Sequence, residues 1–275
     1  MSSNLIVNKD MNQTRTLVTL KDGITCGGRE LTVIAGPCAV ESREQMQAVV
    51  ASLREKGISG FRGCIFKPRT SPYSFQGLGA SGVEILKEMK ELYSLPVVTE
   101  VMSAEQIDAV YDYVDVFQIG SRNMQNFELL KVAGALRKPV LLKRGLSATI
   151  EEFLMAAEYV LAGGNDQVIL CERGIRSFDS STRNVLDLGA VCVLKKETHL
   201  PVMVDPSHAA GKRELVADLA LASVACGADG LLIECHPTPE LSVSDARQAL
   251  SLDEMTELLK ALDPVAKAVG RTLRV

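Results

Sequence analysis

The sequence is poor in several residue types, and each shortage argues against a class of protein. It contains no Trp and only three His, and aromatic residues make up 4% of the chain. It has no stretch of about 18 uncharged apolar residues, such as a membrane-spanning helix requires, and its N-terminus lacks the apolar core of a signal peptide. We therefore expect a soluble, cytoplasmic protein with no membrane partner.

Cysteines and basic residues are present, but not in the patterns of disulfide-rich or nucleic-acid-binding proteins. The seven cysteines are an odd number without CxxC spacing, which argues against a disulfide scaffold and favours a reducing compartment. The formal net charge is −4 and no long Lys or Arg run offsets it, so we expect no nucleic-acid partner. The first apolar strand is followed by Gly36-Pro37-Cys38 and not by a glycine-rich phosphate-binding turn.

From residue 31 onward, short apolar runs typical of β-strands alternate with segments of helical periodicity. The eight runs are residues 31–35, 61–66, 96–101, 116–119, 139–143, 167–171, 201–204 and 230–234. Four helices begin with a capping-box pattern, in which Glu or Gln follows Ser or Thr by three residues: Ser42/Gln45, Ser103/Gln106, Thr149/Glu152 and Ser251/Glu254. Eight strand–helix units predict a single (β/α)8 TIM barrel, with an open, doubly wound α/β sheet as the alternative.

The residues before this pattern are predicted to form a tail and a small hairpin. Residues 1–14 are polar and aperiodic, which is typical of a mobile tail. Residues 16–20 alternate, Asp22-Gly23 is a turn signal, and residues 24–26 return as a second short strand. We expect this hairpin to cover the floor of the barrel, and we divide the chain into residues 1–30 and a catalytic barrel of residues 31–275.

Barrel enzymes carry their active sites at the carboxyl ends of the strands, and cations collect there in this sequence. Four strand ends supply them: Lys67 with Arg69, Arg122, Lys143 with Arg144, and Arg173. Pro68 and Pro72 stiffen the loop after the second strand, so its donors are held in place. Positive charge concentrated at one mouth of an acidic protein suits small anions, and Arg and Lys donors match phosphate oxygens.

The remaining strand ends supply a second population of side chains, with the chemistry of metal ligands. The first, seventh and eighth strands are neighbours in a closed barrel, so Cys38, His208 and Glu234 can converge there. Asp245, from the last loop, would complete a set of four. One thiolate, one imidazole and two carboxylates predict one divalent metal ion, but they do not select among Mn, Zn, Fe and Co.

Six segments that carry these residues resemble, in the same order, those of a known enzyme family. They are residues 35–42, 67–72, 118–126, 143–145, 171–174 and 205–209. Together they are similar to the short, single-domain type I form of the 3-deoxy-D-arabino-heptulosonate 7-phosphate (DAHP) synthases, over nearly the whole chain from about residue 31. Lys67-Pro68-Arg69-Thr70-Ser71-Pro72 is the specific segment, whereas residues 35–42 are shared with the 3-deoxy-octulosonate 8-phosphate synthases.

The resemblance implies a transferase that joins phosphoenolpyruvate to erythrose 4-phosphate, as the first step of the shikimate pathway to chorismate and the aromatic amino acids. It implies that the metal is bound by Cys38, His208, Glu234 and Asp245. It implies that phosphoenolpyruvate is contacted by Arg62, Lys67, Arg122, Lys143 and Arg173, and the erythrose phosphate by Arg69 and Thr70. We assign catalytic roles to Lys67, Cys38 and His208. Lys67 would handle a proton, because a desolvated Lys among other cations has a lowered pKa.

Three alternatives stay open at this point. One is an octulosonate synthase acting on arabinose 5-phosphate, and another is a Schiff-base aldolase with Lys143 or Lys67 as nucleophile. The third is a phosphometabolite-binding protein that keeps the phosphate-binding cations and has lost the chemistry, although the full set of four metal-type ligands argues against it. The chain also departs from the family pattern in two places. Cys64-Ile65 replaces a small Gly-Ala pair, and residues 244–248 replace a Gly-Pro version of the last loop, which bears on the placement of Asp245. We expect a homo-oligomer, either a dimer or a tetramer.

Overall fold

Eight parallel strands close into a barrel in the computed structural model of the chain, which describes residues 5–9, 14–21 and 23–274. A separate antiparallel hairpin, β1 (Val18–Lys21) and β2 (Ile24–Cys26), precedes it. The barrel strands are β3 (Thr32–Gly36), β4 (Gly60–Arg62), β5 (Val97–Val101), β6 (Val116–Ile119), β7 (Val140–Lys143), β8 (Val168–Glu172), β9 (Val202–Val204) and β10 (Gly230–Glu234). Each pairs with the next in chain order, and β10 pairs with β3 to close the ring. The predicted (β/α)8 TIM barrel is confirmed.

Helices follow the barrel strands and cover the outside of the ring. Within the described residues they are α1 (Arg43–Arg54), α2 (Ala80–Tyr93), α3 (Ala104–Val110), α4 (Phe127–Gly134), α5 (Ile150–Ala162), α6 (Leu188–Glu197), α7 (Pro206–Ala210), α8 (Val216–Ala225) and α9 (Leu252–Ala268). Each of the longer ones turns an apolar stripe toward the strands, as α1 does with Met46, Val49, Val50 and Leu53. No helix of the described chain is long and apolar enough to cross a membrane.

The four predicted N-caps are present and fix where their helices begin. Ser42, Ser103, Thr149 and Ser251 each accept a hydrogen bond from the backbone N–H three residues on. At Thr149 and Ser251 the Glu side chain also accepts a hydrogen bond from the backbone N–H of the cap residue, so the capping box is complete. At the other two, the Gln side chain accepts instead from the backbone N–H one residue before the cap.

The hairpin closes the amino end of the barrel, as predicted. Its inward side chains are Val18, Leu20, Ile24 and Cys26, and all four are buried. They form one apolar cluster with residues from the first halves of the barrel strands, including Ile34, Val98, Leu141, Ile169 and Met203. The turn predicted at Asp22-Gly23 is only half described, because Asp22 lies outside the described residues. The active-site end of the barrel is left free for polar side chains.

The second barrel strand is shorter than the prediction of residues 61–66. It ends at Arg62, and the chain then folds back on itself, with the N–H of Lys67 donating to the carbonyl of Gln76 at 2.9 Å. Gly77 has a φ of +98°, and a Cβ there would lie 2.1 Å from the carbonyl oxygen of Ile65, so only Gly fits. Cys64 and Ile65 are buried, and Ile65 lies against α2, where a Cβ at Gly82 would come within 2.5 Å of it, so this loop carries an apolar pattern like that of a strand.

The prediction of a mobile tail over residues 1–14 is wrong for residues 5–9. Val7 is fully buried, and its N–H donates to the Glu158 carboxylate at 2.8 Å. The hydroxyl of Thr198 donates to the Val7 carbonyl at 2.6 Å. The short apolar run around Val7 therefore docks against α5 and the end of α6. Residues 1–4 and 10–13 lie outside the described part of the chain.

Candidate active site

The four predicted metal ligands lie together at the carboxyl end of the barrel. Cys38 follows β3, His208 lies in α7, Glu234 ends β10, and Asp245 lies in the loop after β10. One donor atom of each lies within 4.8 Å of the others. Cys38 Sγ is 3.0 Å from Asp245 Oδ2, and His208 Nε2 is 3.2 Å from Glu234 Oε1. The closed ring thus brings together residues that are far apart in the sequence.

The state of these donors fits a bound cation. Glu234 Oε1 is buried without a hydrogen-bond partner in the described chain. Burial, and then the charge of Glu234, raises the pKa of the Cys38 thiol well above its usual value. A thiolate at this position therefore needs a further positive charge beside it. Thiolate, imidazole and carboxylate together fit one divalent transition-metal ion and do not select which.

Asp205, at the N-cap of α7, orients His208. Its Oδ1 accepts the backbone N–H of His208 at 2.9 Å, and its Oδ2 accepts from the ring Nδ1 at 2.7 Å and pairs with Lys143. Burial alone would raise the pKa of this carboxyl, but His208 and Lys143 outweigh it and hold the pKa well below its usual range. Because Nδ1 carries the donated proton, the Nε2 lone pair faces the other three ligands.

A cavity of about 510 Å³, within the usual size of ligand pockets, opens beside these four predicted ligands, Cys38, His208, Glu234 and Asp245, which we call the metal cluster. Seven cations and two carboxylates line it: Lys67, Arg69, Arg122, Lys143, Arg173, Arg176 and Arg183, with Glu100 and Asp245. Thr70 and His208 also face it. Six of the seven predicted substrate-binding residues are thus in its wall, and Arg62 is the exception. An anion in this cavity would lie directly next to the metal cluster.

Two buried arginines carry donor atoms without a hydrogen-bond partner in the described chain. Arg62 is 1% exposed, and its Nε and Nη1 have no hydrogen-bond partner in the described chain, although Nη1 lies 3.2 Å from Glu234 Oε1. Nη1 of Arg173, in the cavity wall, is likewise buried and unpaired. Buried donors without acceptors are costly, and the Arg173 donor lies where an anion in the cavity could accept from it, whereas Arg62 faces Glu234.

The loop that carries Asp245 is held by the loop after β4. Arg69 Nη2 donates to the Ser244 hydroxyl at 2.7 Å, while Arg69 Nε donates to the Phe75 carbonyl at 2.9 Å. Asp245 itself has a φ of +58°, and its Oδ1 accepts from Arg183 Nη1 at 2.9 Å. The last loop therefore brings Asp245 to the metal cluster without the Gly-Pro sequence that the family pattern would have there.

The expected pKa of Lys67 is wrong in direction. Burial lowers the pKa of its ammonium group, but the neighbouring Cys38, Cys64 and Glu100 outweigh burial and raise it. Lys67 Nζ donates to the Cys38 carbonyl at 3.0 Å and to Cys38 Sγ at 2.8 Å. Lys67 therefore stays protonated at neutral pH, where it can donate a proton but not accept one.

Several residues of the site had no role in the sequence analysis. Asp205 and Glu100 stand at strand ends, and that position was the only signal available for them. Glu100 Oε2 accepts from Gln118 at 3.2 Å, and a Cβ at Gly120 would lie 1.9 Å from Glu100 Oε1, so a side chain at residue 120 would displace the Glu100 carboxylate. Arg176 and Arg183 lie in the irregular segment between β8 and α6, where no periodicity marks them.

Comparisons with known proteins agree with this architecture. The sequence profile described as the DAHP synthetase I family matches residues 10–271. A phospho-2-dehydro-3-deoxyheptonate aldolase of Thermotoga maritima is 48% identical over 265 residues, which cover 96% of this chain and 78% of that protein. A 2-dehydro-3-deoxyphosphooctonate aldolase of Syntrophotalea carbinolica is 32% identical over 266 residues, 89% of this chain and 95% of that protein.

Solved structures show the same relationship. The crystal structure of the DAHP synthase of Thermotoga maritima matches with a TM-score of 0.95 and 46% identity, over 99% of this chain and 79% of that one. A truncated form of 3-deoxy-D-arabino-heptulosonate 7-phosphate synthase from Thermotoga maritima matches with a TM-score of 0.90 and 43% identity, over 97% of each chain. With the family profile spanning almost the whole barrel, the chain belongs to the DAHP synthetase I family.

Proposed function

We propose that this chain is a metal-dependent 3-deoxy-7-phosphoheptulonate synthase, a transferase that condenses phosphoenolpyruvate with D-erythrose 4-phosphate to DAHP and phosphate. This reaction is the entry to the shikimate pathway. The observation that carries the proposal is the contact between a four-donor metal cluster and a cavity lined by seven Lys or Arg side chains. Two phosphate esters and a carboxylate need several cations, and the aldehyde to be attacked needs activation beside them.

We assign the metal to Cys38, His208, Glu234 and Asp245. When bound, such an ion supplies a Lewis acid for the aldehyde oxygen of erythrose 4-phosphate. We assign phosphoenolpyruvate to Arg62, Lys67, Arg122, Lys143 and Arg173, and the phosphate of erythrose 4-phosphate to Arg69 and Thr70. The unpaired buried donor of Arg173 in the cavity wall supports the first assignment, because an anionic substrate would satisfy it.

These cations would turn two separate molecules into one oriented pair. The new bond joins C3 of phosphoenolpyruvate to the aldehyde carbon, water adds at C2, and inorganic phosphate leaves. Fixed positive groups stabilise the charge that develops on the substrates without reorganising. We assign to protonated Lys67 the proton that the aldehyde oxygen takes up as the carbon–carbon bond forms, since Lys67 contacts both the metal cluster and the cavity.

The two rival reactions are less well supported. A Schiff base needs a free amine, whereas the pKa of Lys67 is raised and Lys143 is paired with the buried Asp205 carboxylate. An octulosonate synthase would use the same metal and the same phosphoenolpyruvate site with a longer acceptor. Arg69 is held close to the last loop by Ser244, and this short reach favours a four-carbon aldose phosphate.

A phosphate-release assay tests the proposal. Purified protein is given phosphoenolpyruvate with erythrose 4-phosphate, arabinose 5-phosphate or no acceptor, before and after treatment with a metal chelator. We expect release only with an acceptor, a much larger kcat/KM for erythrose 4-phosphate, and loss of activity on chelation that a divalent ion restores. Comparable kcat/KM for the two sugars would assign the chain to the octulosonate synthases, and trapping of a substrate by borohydride would indicate a Schiff base.

A further inference from the structure

Outside the active site, two thiols face each other between helices α6 and α8. Cys192 lies in α6 and Cys226 caps the C-terminus of α8, and their Sγ atoms are 2.9 Å apart. Cys192 is exposed and Cys226 is partly exposed, whereas the other five cysteines are buried. We propose that Cys192 and Cys226 form a reversible disulfide, which links α6 to α8 when the protein meets a low-molecular-weight disulfide such as oxidised glutathione.

The geometry around the two sulfur atoms holds them face to face. Cys226 Sγ also lies 3.2 Å from the carbonyl oxygen of Leu188, in the first turn of α6, and Cys192 Sγ lies 3.9 Å from the carbonyl oxygen of Cys226. A disulfide bond is about 2.05 Å long, so a movement of less than about 1 Å brings the sulfurs to bonding distance. Little rearrangement of the two helices is therefore needed.

The exposure of the two thiols sets the order of the chemistry. Cys192 is the accessible thiol, while burial and the hydrogen bond to Cys192 raise the pKa of Cys226 to about 11. The Cys192 thiolate therefore attacks first, breaks the S–S bond of oxidised glutathione and releases one glutathione thiolate. Cys226 then loses its proton to solvent, attacks Cys192 Sγ in the mixed disulfide and expels the second glutathione thiolate. Two protein thiols are oxidised and one glutathione disulfide is reduced to two thiols.

The bridge would change stability more than activity. It closes a loop from residue 192 to residue 226 that contains β9 and α7, and hence Asp205 and His208. The crosslink lowers the conformational entropy of the unfolded chain and so stabilises the folded one. For a loop and a chain of this length, we expect the melting temperature to rise by several degrees. Because the thiols are already in contact and both lie outside the cavity wall, we expect the turnover number to stay unchanged.

The test uses the metal-loaded full-length protein. It is incubated with oxidised glutathione, the remaining thiols are alkylated, and the protein is digested without reductant for mass spectrometry. We expect one peptide pair joined through Cys192 and Cys226, with the loss of two hydrogen atoms and no retained glutathione. We also expect a higher melting temperature, and dithiothreitol should reverse both changes. No reaction, a lasting glutathione adduct on Cys192 in the wild-type protein, or a bridge to any other cysteine would overturn the proposal.

Two serine variants separate the two steps. Cys226→Ser keeps the attacking thiol but lacks the resolving one, so it should retain one glutathione on Cys192. Cys192→Ser lacks the accessible thiol, so it should take up no glutathione at residue 226 and show no shift in melting temperature. Equal behaviour of the two variants toward oxidised glutathione would contradict the proposed order of attack. Both replace one sulfur atom by oxygen at an exposed or partly exposed position, so each should fold and turn over substrate like the wild type.

Discussion

The substitution Asp205→Asn isolates what the buried carboxylate behind His208 does. The Asp205 carboxylate accepts from both the backbone N–H and the ring Nδ1–H of His208, and it also neutralises Lys143. An amide has nearly the same shape but only one accepting atom. If the amide oxygen keeps the backbone bond, its NH2 faces Nδ1 and forces the proton onto Nε2, which then cannot bind a metal. If the amide flips, its oxygen accepts from Nδ1 and His208 keeps its tautomer, but the backbone N–H of His208 loses its acceptor and α7 loses its N-cap.

The magnitude follows from these two losses. Changing a carboxylate that orients a metal-binding His typically costs 10- to 100-fold in metal affinity, or about 1.4–2.7 kcal/mol. Lys143 is left as a buried cation without its counter-charge, and breaking a buried pair in this way costs about 3–5 kcal/mol of folding stability as an upper range. We therefore expect weaker metal binding and a lower melting temperature together.

Metal titration of the stripped protein, followed by calorimetry or by competition with a coloured chelator, measures the first effect. Asp115→Asn is the matched control, because Asp115 also pairs with a lysine, Lys90 at 2.8 Å, and accepts a backbone N–H, that of Val97 at 2.9 Å. It lies away from the cavity wall, so it should lower stability without changing metal affinity. If folded Asp205→Asn protein binds the ion as tightly as the wild type, the orienting role is refuted.

Three further substitutions test separate parts of the molecule. Cys38→Ala should abolish turnover while the melting temperature of the metal-free protein stays close to that of wild type, and near-normal activity after exhaustive chelation would contradict the metal assignment. Arg69→Ala should raise KM for erythrose 4-phosphate by about 30-fold or more, corresponding to roughly 2–4 kcal/mol for a lost charge-assisted contact, and should raise KM for phosphoenolpyruvate much less. Asp229→Asn should lower the free energy of unfolding by about 3–5 kcal/mol, because this fully buried carboxylate pairs with Arg271 and Lys195. It should leave kcat unchanged, because Asp229 lies at the amino end of the barrel, away from the cavity. Steady-state kinetics and thermal denaturation of the same preparations distinguish these outcomes.

The sequence was informative wherever a local pattern determines a local structure. The caps at Thr149 and Ser251 form because the Glu three residues on is within reach of the same turn. The meeting of the four predicted ligands could be foreseen because Cys38, His208 and Glu234 lie at or just after strand ends and Asp245 lies in the loop after the last strand. A closed ring then makes the first strand a neighbour of the last.

Other features depended on contacts that only the folded chain makes. The pKa of Lys67 is raised by Cys38, which follows β3, by the nearby Cys64 and by Glu100 in β5, so counting nearby cations in the sequence gave the wrong sign. Arg183 reaches Asp245 from 62 residues away, out of a segment with no regular structure. The Val7 segment becomes ordered because Thr198 and Glu158 satisfy its backbone groups, and neither partner is visible from the polar residues around it.

The position of the metal cluster at the junction of β10 and β3 has a consequence for how the protein is made. Cys38 and Asp245 are separated by 207 residues, yet their side chains meet at 3.0 Å. During synthesis Cys38 is made 207 residues before Asp245, so the four donors meet only after β10 and the loop that follows it have been made. A nascent or truncated barrel therefore lacks the complete ligand set, and an ion bound by all four ligands would fasten the last strand to the first. The four donors would thus be complete only once the ring itself has closed.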